Sequence, residues 1–139
     1  MITLPVSATD ADIFAVVQRW VDLLADGDFG QAQSLLMRDG AEREWTPQVV
    51  ADLIESYELP PAVRSVGKSR VTPIGEASVF DIQPRPSVSR WVADGRPGVV
   101  GDVHFDLPIN GVWSDLTAIF LLRQVAGGIA LELFDIHVL

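Results

Sequence analysis

From Asp10 to Ala25 apolar residues recur at three- and four-residue steps: Ile13, Phe14, Val17, Trp20, Val21 and Leu24. On a helix of about 3.6 residues per turn those positions line one face, so the spacing predicts an amphipathic helix. Thr9 stands where an N-cap belongs, Asp10 and Asp12 fall in the first turn where the helix dipole favours negative charge, and Gly27 ends the pattern. Asp28 is placed to cap a shorter second helix through Gln31, Ala32, Leu35, Leu36 and Met37, closed by the turn signal Asp39-Gly40. Thr46-Pro47 is an N-cap followed by proline at the first helical position. It opens a third helix with Val49, Val50, Leu53, Ile54 and Tyr57 inward, and Pro60-Pro61 stops it.

After Ala62 the pattern turns to strands and turns. Arg64 to Thr72 and Ala77 to Gln83 read as short strands around Pro73-Ile74-Gly75, and Pro84 to Gly98 as the least regular stretch. The last forty or so residues carry the clearest local signal: β-rich runs Val99 to Ile109, Val112 to Val125 and Ile129 to Leu139, separated by Asn110-Gly111 and Gly127-Gly128. Asn-Gly is the preferred two-residue hairpin turn, so the end of the chain reads as a three-strand meander. Helices first and sheet after predict one α+β domain, residues 1–139, with N-terminal helices packed on a curved antiparallel sheet.

Two-residue turns fix a register, and side-chain alternation then assigns faces. Ile109 pairs with Val112, Phe105 with Leu116 and Val103 with Ala118. One face carries Phe105, Leu116, Phe120, Leu131, Leu133, Asp135, His137 and Leu139, and being overwhelmingly apolar it must cover the helices. The other is mixed: Asp102, His104, Asp106, Trp113, Asp115, Ile119, Leu121, Arg123, Glu132, Phe134 and Ile136. Its apolar members form a belt too large for a wet surface, which predicts a homodimer through the outer sheet face. A three-residue second loop would reverse the faces of the last strand.

Composition narrows the function classes. The net charge of -9 leaves no basic stripe for nucleic acid. That charge is uneven, because residues 64–96 form a basic island in an acidic chain, either a loop and edge strand carrying arginines or a surface for an anion. Absence of cysteine removes disulfides, thiol catalysis and thiolate metal sites. No apolar run approaches the ~18 residues of a membrane span, and Met1 to Thr9 lacks a leader pattern, so the expectation is a cytoplasmic protein with no membrane partner. Phosphate loop, nucleophile elbow and His-Glu-x-x-His helix are all missing, and no cofactor or metal is expected.

A long first helix, the run Gly27-Asp28-Phe29-Gly30-Gln31-Ala32 opening a second, a further helix, and long antiparallel strands ending the chain: this order resembles the nuclear transport factor two-like superfamily, which includes ketosteroid isomerase-like and polyketide cyclase-like proteins. The resemblance implies a cone-shaped, cystatin-like roll with a pocket at its wide end. It admits isomerases, dehydratases, cyclases and non-catalytic modules, and so names no activity. The tyrosine and aspartate of the isomerase branch have no identifiable motif here, Tyr57 being the only tyrosine.

Asp135 and His137, sharing the apolar face, are the candidate catalytic pair, since a carboxylate can orient a histidine for proton transfer and burial moves pKa values into useful ranges. A structural pair at the sheet rim is the alternative. Trp20, Tyr57, Trp91 and Phe120 are the candidate ligand-binding residues for a small apolar molecule. Arg43-Glu44-Trp45 and Arg90-Trp91 either line a pocket mouth or cover the core. Asp102, His104, Asp106 and Asp115 share a face, with Asp106 opposite Asp115, a like-charge pair that a cation, an arginine or solvent would relieve. A cavity between Trp20, Phe120 and His137 would support small-molecule binding; a filled core there would support a protein-interaction module.

Overall fold

A computed structural model describes residues 1–64, 67–80, 83–91 and 97–138. Its helices are α1 (Asp10–Ala25), α2 (Phe29–Ser34) and α3 (Pro47–Ser56). A four-stranded antiparallel sheet follows in the order β1 (Ser87–Arg90), β2 (Val99–Ile109), β3 (Val112–Val125) and β4 (Gly128–Val138). The layout is α+β, with the helices on one face of the sheet.

Local chemistry accounts for the helix ends. Thr9 accepts from the Asp12 backbone and Asp12 accepts from the Thr9 backbone, a reciprocal capping box that satisfies two otherwise orphaned N–H groups. Thr46 caps α3 in one direction only, its hydroxyl accepting from the Val49 backbone, and Asp28 makes no side-chain cap to α2. Ile13, Val16, Val17, Trp20, Val21 and Leu24 bury the sheet-facing stripe of α1. Trp20 meets Phe120 edge to face, with centroids 5.1 Å apart, and Phe14 leans on Phe105 at 6.5 Å. On α3 only Val50 and Ile54 are fully buried, and Val49 points to solvent.

The segments expected as strands between Arg64 and Gln83 are not strands where the structure describes them; residues 65, 66, 81 and 82 lie outside the described residues. Val71 and Ser78 each form one isolated bridge, to Ile109 and Val112, around a 3-10 turn at Ile74–Glu76. The first strand instead sits at Ser87–Arg90, inside the stretch expected to be least regular. It is an edge strand, which tolerates neighbouring prolines because its outer N–H groups need no partner. The basic island docks onto the acidic first half: Lys68 pairs with Glu55, Arg90 with Asp10 and Arg64 with Glu58.

Asn110 and Gly111 both take positive φ, 50° and 83°, as a mirror-image hairpin turn requires. Beyond it the register departs from simple alternation three times, once between Val99 and Gly101 at the start of β2. Ser114, Asp115 and Leu116 together oppose Leu107, so Phe105 pairs with Ala118 and Val103 with Phe120. Two extra residues preserve the faces. The second hairpin turns at Ala126-Gly127 and pairs Val125 with Gly128. Then Phe134 is inserted between the pairs Phe120↔Leu133 and Ile119↔Asp135. One extra residue reverses every side chain after it.

Ile136, expected outside, therefore joins the core at 2% exposure. Asp135 and His137, expected inside, pair with Ile119 and Thr117 on the outer face. Leu139 lies outside the described residues. The outer face has no exposed apolar belt either, because Ile119 and Leu121 are 8% and 2% exposed within the single chain.

Candidate functional site

Asp135 is saturated by its neighbours. Its Oδ1 accepts from the Ile136 backbone at 2.9 Å and lies 3.4 Å from Arg43 Nη1, while Oδ2 is 2.7 Å from His137 Nδ1. Arg43 also stacks over Phe134 at 5.1 Å. The two residues do form a pair, yet on the outer face, where neither lines either of the two hollows described below. Next to them lies a buried charge. Glu132 is 0% exposed, receives Arg123 Nη1 at 2.5 Å on one oxygen and the Glu42 backbone N–H at 2.8 Å on the other. The sequence places Arg123 and Glu132 on the same outer face; the structure pairs them with side chains 17% and 1% exposed, and the carboxylate holds the 37–45 segment against β4.

Trp20 and Phe120 are core, both fully buried and in contact with each other. The space between them is filled, so the expected cavity is not there. Trp20 Nε1 donates to Gln33 Oε1, and Gln33 Nε2 donates in turn to the Trp45 carbonyl. Trp91 is half-buried, its backbone N–H bonded to Val100, and it borders no cavity described. The four residues of the supposed cation face each find their own partner. His104 lies 3.5 Å from Asp102, Asp106 accepts from Thr117 and from the Arg85 backbone, and Asp115 accepts from Tyr57. Asp106 does not oppose Asp115, because the Ser114–Leu116 insertion carries Asp115 away. Among the described residues no group of three or more metal-binding side chains is gathered.

Two hollows remain. The larger, about 740 Å³, runs between α2, the 37–45 segment and β4, with Gln33, Met37, Arg43, Trp45 and Leu133 in its wall. Gln33 and Arg43 are already engaged, and Trp45 Nε1 is buried without a partner, a cost of about 1–3 kcal/mol that the fold carries. The smaller, about 310 Å³, lies where the end of α3 meets the start of β3, and is lined by Tyr57, Leu59, Pro61, Phe80, Trp113 and Asp115 among others.

Comparison with protein-family models, curated proteins and solved structures finds no match to this chain. The site must be read from its own chemistry.

The smaller cavity combines apolar walls with one convergent polar pair. Tyr57 O–H donates to Asp115 Oδ1 at 2.5 Å, and the phenol is pushed up to about 12. Burial is the main cause, followed by the hydrogen bond to Asp115 and then its charge; these outweigh the opposing pull of the Asp115 backbone and Ser114. Both partners are positioned by local structure. Tyr57 is the C-cap residue of α3, swung into an extended conformation, and its carbonyl is held by the Ser69 hydroxyl. Asp115 is brought round by the inserted turn in β3, where Ser114 donates to the Leu107 carbonyl and accepts from the Leu116 N–H. Trp113, expected on the outer face, lays its ring against Phe105 at 6.2 Å and forms a wall. Of the four ligand candidates, Tyr57 alone lines a cavity. Its partner Asp115 appears in the sequence only as one acid among several, because a two-residue insertion has no compositional signature.

Proposed function

We propose that the protein is a small-molecule-binding domain whose ligand occupies the cavity of Tyr57, Trp113 and Asp115. The observation that carries this reading is the coincidence of an apolar hollow of about 310 Å³ with a phenol–carboxylate pair whose phenol is held protonated. A carboxylate that can accept a proton beside a phenol that retains one also suits isomerase, dehydratase or cyclase chemistry, in which protons are moved between carbons and oxygens. The resemblance to the nuclear transport factor two-like superfamily, with its cone-shaped roll, belongs to this proposal. So does a cytoplasmic location. None of the described helices is long and apolar enough to cross a bilayer.

A fragment screen followed by thermal shift and by the absorbance of the single tyrosine tests the reading. Compounds that raise Tm should also perturb Tyr57. If stabilising compounds leave Tyr57 untouched, or none stabilises, this cavity is not the site. A protein-interaction module is the second reading, and two observations favour it: the space between Trp20 and Phe120 is filled, and Val79 and Phe80 are adjacent and exposed, at 56% and 54%. The homodimer through the outer face loses its argument, since Ile119 and Leu121 are covered already.

A further inference from the structure

The polar lining of the Tyr57–Asp115 cavity is one-sided. The Tyr57 hydroxyl donates to Asp115 and the Ser114 hydroxyl donates to the Leu107 carbonyl, so both hydroxyl protons are committed. Among the described residues Arg64 is the one cation in the wall, and its Nε and Nη2 sit 3.3 and 3.1 Å from the Leu59 carbonyl, with Glu58 3.7 Å from Nη2. What remains is acceptor capacity. Asp115 has one oxygen occupied by Tyr57, and among the described residues no side chain or backbone donor reaches Oδ2. A second carboxylate, Glu58, stands at the rim, largely in solvent.

An anion entering this cavity would meet Asp115, while the Arg64 guanidinium is turned toward the Leu59 carbonyl and shared with Glu58. A neutral hydroxyl could donate to Oδ2 but would leave the carboxylate uncompensated. A protonated amine does both: it donates to Oδ2 and neutralises the charge in a partly desolvated place, where such contacts are strongest. Phe80 and Trp113 flank the approach, and aromatic faces attract cations. The remaining walls, Leu59, Pro60, Pro61 and Val112, are apolar and ask for a hydrocarbon body.

We infer that the cavity's ligand is an organic monocation, a protonated amine carried on an apolar or aromatic body, with its ammonium against Asp115. The inference rests on the proposal that this cavity is the binding site, and the test separates the two.

Three probes of one shape differ only in the head group: 2-naphthylmethylamine, 2-naphthylmethanol and 2-naphthoate, titrated calorimetrically at pH 7 into the full chain. The amine should bind at least ten-fold tighter than the alcohol, and the naphthoate weakest. Asp115→Asn, with its fold checked by circular dichroism, should erase the amine's advantage and leave the alcohol within about three-fold of its original affinity. If that variant does not fold, Phe80→Ala at the exposed mouth replaces it and should weaken the amine three-fold or more. The alcohol or naphthoate matching the amine in the unmodified protein overturns the charge assignment but keeps the cavity. An amine advantage that survives Asp115→Asn, or an unchanged affinity in Phe80→Ala, places the cation elsewhere and also overturns the inference. No binding by any of the three sinks the cavity reading, and the inference with it.

Discussion

Asp135 and Asp115 are half-buried aspartates on neighbouring strands, each beside a ring side chain that bonds it, and their surroundings give them opposite characters. Asp135 has a backbone N–H, an arginine and a histidine around its two oxygens, and it ties the last strand to the 37–45 segment. Asp115 has a phenol on one oxygen and a hollow beside it. Hydrogen-bond capacity decides the difference: a carboxylate whose lone pairs are filled by its own chain is architecture, while one left with capacity at a cavity wall is able to take a ligand. The outer end of β4, with Glu132 and Asp135, should therefore control stability, and the Tyr57–Asp115 pair should control binding.

The largest test of that division is Glu132→Ala. It leaves Arg123 buried beside no counter-charge and the Glu42 N–H without its acceptor, so chemical denaturation should show a loss of about 3–5 kcal/mol. Probe affinity at the Tyr57 cavity, measured under conditions where the variant is folded, should not change. Gly111→Val comes next, because it forces a branched residue to φ 83° in the hairpin that sets Trp113 and Asp115. It should cost about 1–3 kcal/mol and weaken cavity binding as well; if it melts with the parent, the hairpin does not hold the site.

The titration of Tyr57 sharpens the contrast without touching the fold. As the only tyrosine, its phenolate absorbance is read cleanly, and it should ionise at about 12, returning toward the ordinary value near 10 in Asp115→Asn. Its sign for stability follows. The folded state keeps the phenolic proton more tightly than the unfolded chain, so the contribution is complete below pH ~10 and disappears as pH rises from ~10 through about 12. The smallest effect belongs to His137→Gln. That half-exposed pair should contribute less than about 1 kcal/mol and leave probe binding unaltered; a loss of binding would reverse the roles assigned to the two aspartates.

The elements that can be read from the sequence are those whose signals are local. The Thr9 N-cap, the proline after Thr46 and the Asn110-Gly111 turn each act within four residues, and the helix and strand boundaries they imply agree closely with the structure. Ile129, Leu131 and Leu133 take the inward side that alternation gives them, but side-chain orientation in β4 beyond Leu133 is not legible. It depends on Phe134, a residue at home in any strand, occupying a bulge position that only the meeting of two strands defines. The Ser114–Leu116 insertion is hidden for the same reason, and with it the route of Asp115 to Tyr57 across 58 residues of chain. Extended composition between Arg64 and Gln83 also misleads, since those described residues meet the sheet at single points and form no ladder.

Phe134 also suggests how such a domain changes over evolutionary time. Deleting that one codon would make the pairs Phe120↔Leu133 and Ile119↔Asp135 consecutive, leaving Ile136 inside and Asp135 and His137 outside. A lineage could therefore lose the residue and keep its salt-bridged exterior, whereas a slip that drew Phe134 into the ladder against Ile119 would turn Asp135 and His137 inward with no change of sequence. A variant lacking Phe134 should keep the Asp135–His137 pair on the outer face and lose only the local bend of the bulge.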